Sequence, residues 1–293
     1  MQVTKQPGLN CQTDGAFTLT DLIALLAVVL LLSATQWPSM ANTKGKGQVA
    51  SCLANHRQLV RAWESYAQDN SGTLVGNLDG GNVSTLANSN LTWVLGWLDF
   101  IGGSGFPATA GGLANTNTYL LTQLSPLAFY LGRTASVFRC PADTSLCFGW
   151  RGAPRVRSIS MNNYMGENRP GTSAYRQFKK LSEITDPKPS QAFVFTDERE
   201  DSINDGWFAA DMGGYDPRSP GSYTIVDYPA DWHNRGANLS FADGHTETWR
   251  WQDRRTMPPH RSGQLIPLGV ASENNPDVAR IQAATTRRVV QGN

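Results

Sequence analysis

The chain has 293 residues, of which 40% are hydrophobic and 17% charged, with 28 glycines; this is a folded, loop-rich protein of one or two domains rather than a disordered one. Its formal net charge is +1, so no global field draws it to nucleic acid, and no nucleic-acid partner is expected. The four cysteines, Cys11, Cys52, Cys140 and Cys147, permit a disulfide in an oxidising compartment.

The first expected element is an apolar helix. Leu22 to Leu32 is an unbroken apolar run, and Phe17 to Trp37 is close to the ~20 residues that span a bilayer core. A removed signal peptide, a plain anchor, a soluble core helix and an assembly helix compete for this segment. Asp21 stands at its start, where a carboxylate is costly in lipid and marks a candidate functional residue. It either caps the helix at the headgroups or, in a bundle of such helices, neutralises the free amine of a neighbouring subunit.

The helix is expected to run on to about Gln68, kinked at Pro38 and loosened by Gly45 and Gly47. Val49, Leu53, Leu59, Val60, Trp63 and Tyr66 recur at helical spacing and form the face on which a head folds. His56 is read as a helix-surface residue. Asp69-Asn70-Ser71-Gly72 is a stop.

Beyond it, Trp93–Leu98 reads as a short strand, and Asn115–Tyr130 as a short helix broken near Pro126. Val137–Asp143 reads as an extended run ending at a turn. Ser158–Gly166 alternates like a strand, and Ala192–Asp197 is the strongest buried-strand signal. The runs 237–241 and 246–251 flank Asp243-Gly244, a hairpin turn in which glycine accepts positive φ and aspartate bonds its own backbone. After Met257 the chain is Pro-rich and then loosely polar. Asn275-Pro276-Asp277 starts a helix through Thr285, and Arg287 and Arg288 lie on a frayed end.

Candidates for chemistry are few. No Gly-x-Ser-x-Gly elbow, His-Glu-x-x-His pair or phosphate loop is present, and no enzymatic activity is expected. His233 and Asp243-Gly244 are read as structural closures of the hairpin; a hydrolase using His233 and Asp243 is the least favoured reading. In the acidic loop 197–206, Asp197, Asp201, Asn204 and Asp205 offer hard oxygen ligands suited to Ca²⁺, with Asp211 a weaker addition; the competing reading is a solvated turn. A zinc site reads poorly, because Cys140 and Cys147 lack two-residue spacing and no nearby histidine completes a set. Cys140–Cys147 is the favoured disulfide, since Pro141 and Gly149 suggest a tight loop, with Cys52–Cys140 the long-range alternative.

Phe17-Thr18-Leu19-Thr20-Asp21 resembles the Phe-Thr-Leu-x-Glu cleavage and methylation signal of type IV pilins and type II secretion pseudopilins. Counting Phe17 as the first mature residue makes Asp21 the fifth and Pro38 the twenty-second (38 − 16), where that family carries its acid and a kinking proline. Gly15, Ala16 and Phe17 then form the processing site. Cys52-x-x-Asn55-x-x-Gln58-Leu59, Tyr66-x-x-Asp69-Asn70, Cys140-Pro-Ala-Asp143 and the His233-x9-Asp243-Gly244 spacing are similar to pilin-like proteins of planctomycete-type and verrucomicrobial-type bacteria.

The resemblance implies an α+β fold: a long N-terminal helix, its first half in the membrane, packed on a small antiparallel sheet head with extended loops. The implied segments are a leader (1–16), an assembly half-helix (17–38), an amphipathic half-helix (39–70), a head (71–260) and a tail (261–293). It implies a single-pass inner-membrane subunit of a secretion or pilus-like filament, with prepilin peptidase and other pseudopilin subunits as partners. It also implies a calcium ion in the C-terminal loops, as in secretion pseudopilins. The rival function is an anchored extracellular module that binds glycans or other ligands through its Trp- and Asn-rich head.

Overall fold

The computed structural model describes residues 18–147, 152–166, 174–215, 220–261 and 263–289, and for 32–44 the backbone alone. The chain divides into two compact units, Met1–Lys44 and Gly45–Asn293. Helix α1 (Leu19–Asp69) contributes to both.

In the first unit, Thr18 and Asp21 close the start of α1. The Thr18 N–H and hydroxyl donate to the Asp21 carboxylate (3.0 and 2.6 Å), and the Asp21 N–H donates back to Thr18 Oγ1 (3.3 Å). This reciprocal arrangement satisfies donors that a helix N-terminus otherwise leaves open. Behind the cap, Leu22, Ile23, Leu25, Leu26 and Val28 to Leu31 are all exposed.

Among the described residues no helix is long and apolar enough to cross a membrane. That finding overturns the expected transmembrane half-helix and, with it, the single-pass inner-membrane location. The physical reason lies in the run itself. Leu22 to Leu32 is eleven residues, about 16 Å of helix against a hydrocarbon core of about 30 Å. Thr18, Thr20 and Asp21 precede the run and Ser33, Thr35 and Gln36 follow it. Gly15, Ala16 and Phe17 lie outside the described residues, as does the Pro38 side chain.

In the second unit, α1 presents Cys52, His56, Leu59, Val60, Trp63 and Ala67, all buried, at the three- and four-residue spacing that keeps one face inward. The helix stops where expected: Gly72, at φ 81°, sends its N–H back to the Ala67 carbonyl (2.7 Å), a left-handed closure glycine adopts without strain.

A five-stranded sheet dominates this unit. Its strands are β1 (Ile159–Asn162), β2 (Phe193–Asp197), β3 (Trp207–Phe208), β5 (Gly236–Phe241) and β6 (Thr246–Arg250), in the order β3-β1-β2-β5-β6. Strand β4 (Thr224–Ile225) pairs with β7 (Val270–Ala271) in a separate ribbon, and α2 (Pro276–Thr285) completes the elements.

The β1–β2, β2–β5 and β5–β6 pairs are antiparallel, whereas β3 runs parallel to β1. Strands β1, β2 and β5 are buried along their whole length, because both faces are covered. Leu59, Val60 and Trp63 of α1 share one core with Ile159, Met161, Val194 and Phe195. Ile281 and Ala284 of α2 share the other with Phe193, Leu239, Phe241 and Trp249.

The expected fold class is therefore corrected. The sheet is mixed rather than small and antiparallel, it is the dominant element, and it is packed on two faces. The helix expected from Asn275-Pro276-Asp277 forms as α2; what was not expected is that it folds back to cover the second face of the sheet. Asn275 Oδ1 accepts the N–H groups of Asp277 and Val278 (2.8 and 3.3 Å), and Arg287, read as frayed, pairs with Asp186 (3.0 Å). Trp93–Leu98 is not a strand either. Its N–H groups bond singly to Gly76, Val83 and Asn204, and Trp93 packs edge-on to Phe195 with ring centres 5.1 Å apart.

A bulge between Phe193 and Phe195 decides which way β2 points. Phe193 pairs with Phe241, but Phe195 pairs with Ser240. The extra residue sends Phe193 to the α2 core and Phe195 to the α1 core. Side chains alternate along a strand, so Asp197, two residues on, faces α1.

Candidate metal centre

Cys52, Cys140, Asp197 and His233 meet beneath α1, all buried, with one candidate ligand atom from each lying within 4.8 Å of the others. Four segments supply them: α1, the turn after residue 139, the end of β2, and the segment just before β5. Cys52 Sγ lies 3.2 and 3.3 Å from the two Asp197 oxygens. His233 Nε2 lies 3.2 Å from Cys140 Sγ and 3.4 Å from Asp197 Oδ2. His56, one turn after Cys52 on the same helix face, sets its Nε2 3.0 Å from Asp197 Oδ1.

Backbone groups fix the donors. The Asn238 N–H donates to Asp197 Oδ2 (3.0 Å), the Ala142 N–H to Cys140 Sγ (3.4 Å), and the Cys140 N–H to Ser158 Oγ (2.8 Å). The His233 N–H donates to the Gly236 carbonyl (3.0 Å) at the entry to β5.

The electrostatics follow from this packing. Burial opposes ionisation of Asp197, but the His56 and His233 imidazoles beside it, and the hydrogen bonds they make, outweigh it and hold the carboxyl well below its usual range. Burial likewise opposes charge on His233, yet Asp197 and Cys140 push it up to about 9. Burial raises the Cys52 thiol well above its usual value, aided by Cys140 and Asp197. Burial raises the Cys140 thiol too, but hydrogen bonds from Cys52 and His233 bring it below its usual value. The centre thus sets a Cys140 thiol whose ionisation is eased beside His233, and a Cys52 thiol that donates to Asp197.

Several sequence expectations are revised here. Cys52, Cys140 and Cys147 are all free thiols, so neither expected disulfide is formed; Cys147 donates instead to the Ala153 carbonyl (3.1 Å). His56 is buried against Asp197 rather than on the helix surface. The argument against zinc rested on local spacing, whereas Cys52, Cys140, Asp197 and His233 come together from distant segments.

The four residues proposed for calcium are dispersed. Asp197 belongs to the cysteine centre. Asp201 is gripped by the Arg199 guanidinium (2.5 and 2.9 Å) and by the Arg261 N–H (2.7 Å). Asp205 accepts the N–H groups of Gly80 and Trp207 (2.7 and 2.8 Å). The Asn204 carbonyl accepts from Leu98 (2.5 Å), and Asp211 accepts from Gly213 (2.9 Å).

His233 and Asp243 do not come together. Asp243 pairs with His245 in the hairpin turn, and Gly244 there has φ 84°, as the turn requires.

Sequence reasoning missed the centre, although one signal was available: Cys52 and His56 stand at i and i+4, on one helix face. No protein-family model matches the chain, and neither a curated protein nor a solved structure is similar to it.

Proposed function

We propose that this chain is a non-enzymatic structural subunit which, once residues 1–16 are removed by a prepilin peptidase, assembles with like subunits through the first half of α1. The observation that carries the reading is the capped start of α1 followed by apolar side chains left exposed all round it, Leu19 at 73%, Ile23 at 58% and Leu31 at 70%. A contiguous apolar surface of this kind calls for a covering partner. The partner best matched to it is the same segment of another subunit, apolar against apolar. Asp21, exposed at the end of the bundle, then faces the new Phe17 amine of a neighbour.

The buried tryptophans argue against the ligand-binding alternative. Trp63, Trp93, Trp249 and Trp251 are core residues, and the Trp63 and Trp93 rings are wholly enclosed.

Coexpression with a prepilin peptidase, followed by intact-mass spectrometry and sedimentation, tests this function. The expected product begins at Phe17 and sediments as an oligomer. Leu26→Asp returns it to monomer without changing the melting temperature of the 45–293 unit. A chain that keeps Met1 in the presence of the peptidase, or a mature chain that stays monomeric, overturns it.

A further inference from the structure

We propose that Cys52, Cys140, Asp197 and His233 form a four-coordinate structural site for a borderline-soft divalent metal, zinc in the first place. The inference is independent of the assembly function, since none of the four residues belongs to the exposed half of α1.

The distances fit an ion. Zinc bonds of about 2.0–2.3 Å to nitrogen, oxygen and sulfur imply ligand–ligand edges of about 3.3–3.8 Å in a tetrahedron. The corresponding separations in the fold are 3.2 Å from Cys52 to Asp197, 3.2 Å from Cys140 to His233 and 3.4 Å from His233 to Asp197. The two sulfurs fall within the same 4.8 Å limit.

The donor chemistry fits as well. Two thiols, one imidazole and one carboxylate suit zinc, and are too soft a set for calcium or magnesium. Each donor is already oriented. The Ala142 N–H points at Cys140 Sγ, a contact that favours thiolate over thiol. His56 holds the Asp197 carboxylate from the helix side, and the Asn238 N–H holds it from β5. Such supporting bonds are what keep ligands in register around a metal.

A rival reading of the same residues is a Cys–His–Asp catalytic triad, and the geometry disfavours it. In a triad the carboxylate orients the imidazole through the nitrogen remote from the nucleophile. Here Cys140 and Asp197 both meet His233 at Nε2. One nitrogen aimed at the space between a sulfur and a carboxylate is the arrangement of a ligand. All four residues are also almost fully buried, which suits a closed structural site rather than one that must admit substrate.

Filling the site would cross-link α1, the 140–143 turn, β2 and the entry to β5, the four segments that enclose the α1 core. Metal binding would need both cysteines as thiolates and His233 neutral, so that two thiolates and one carboxylate around a divalent cation leave one net negative charge in the site.

The test uses the full chain, purified reduced and stripped with chelator, then exposed to zinc alone and to cobalt(II) alone. The expected result is one tightly held zinc per chain by elemental analysis, a raised melting temperature, and a cobalt complex with tetrahedral visible bands and thiolate charge-transfer absorption. Cys140→Ser and His233→Ala should each weaken zinc at least about tenfold, and Cys52→Ser should reduce the charge-transfer intensity. Cys147→Ala, which alters a thiol outside the site, should retain both metal and spectrum. Should the Cys140 and His233 variants fail to fold, the cobalt spectra of the parent chain, Cys52→Ser and Cys147→Ala decide the matter. A folded parent chain that binds no zinc, a cobalt spectrum without thiolate bands, or a Cys52–Cys140 disulfide as the state of the purified native protein would each overturn the proposal.

Discussion

Asp197 and Asp205 lie eight residues apart in the sequence, and both are buried, yet the fold treats their charges in opposite ways. Asp197 meets two imidazoles and a thiol and is held well below the usual carboxylate range. Asp205 accepts the backbone N–H groups of Gly80 and Trp207, and burial, with Asp79 adding repulsion, pushes it up to about 6. Arg157, which acts on Asp205 only as a partial counterweight, spends its guanidinium on the Asp205 and Gly96 carbonyls. Depth alone therefore does not set the state of a carboxyl group here. Directly opposed imidazoles reverse the effect of burial; two amide dipoles do not.

The largest test of this contrast is Asp197→Ala. It leaves His233 buried without its counter-charge and His56 without its hydrogen-bond partner, and breaking a buried pair from one side costs about 3–5 kcal/mol. Urea denaturation at neutral pH should report that loss. A change below about 1 kcal/mol, the range of exposed pairs, would show that Asp197 is no more tightly coupled than a surface residue.

Asp205 sharpens the other side. Its carboxyl rises from 3.8 to about 6 on folding, so between these values the folded chain keeps a proton that the unfolded chain has released. Its contribution to stability is therefore constant below about pH 4, falls as pH rises to about 6, and is flat above. Two pKa units correspond to about 3 kcal/mol. Asp205→Asn removes the titration, although its amide can accept only one of the two N–H bonds. The stability advantage of the parent chain over the variant should shrink by about 3 kcal/mol from pH 4 to pH 7. Parallel pH profiles for the two proteins would end the contrast.

The smallest effect is expected at Asp243. It pairs with His245 just as Asp197 pairs with His56, but with side-chain exposures of 37% and 40%. Asp243→Ala should cost no more than about 1 kcal/mol in the same denaturation experiment. A loss as large as that of Asp197→Ala would mean that the hairpin turn, not the ion pair, governs this end of the sheet.

The elements legible in the sequence are those whose cause is local. The β5–β6 hairpin follows from Asp243-Gly244, β2 from the apolar run 192–195, and the start of α2 from Asn275-Pro276-Asp277. What stayed hidden depends on separation. Cys52 to Cys140 is 88 residues (140 − 52), Cys140 to Asp197 is 57 (197 − 140), and Asp197 to His233 is 36 (233 − 197); no spacing rule for metal ligands reaches that far. The bulge in β2 hid Asp197 further. Simple alternation from Phe193 would place Asp197 on the α2 side, away from Cys52. The parallel strand β3 was equally invisible, being two residues long with an ordinary aromatic pattern.

The membrane expectation failed for a related reason. It counted Phe17 to Trp37 by length, whereas only Leu22 to Leu32 is continuously apolar.

Synthesis runs in one direction, and the order of the four donors along the chain gives it a consequence. Cys52 and Cys140 leave the ribosome first, while His233 follows Cys52 by 181 residues (233 − 52). For much of translation the two thiols exist without the imidazole that completes their surroundings. Their shelter arrives only when β5, which follows His233 directly, zips onto β2. The newborn chain is thus most open to unwanted thiol chemistry in its middle age, and the docking of one late strand ends that exposure.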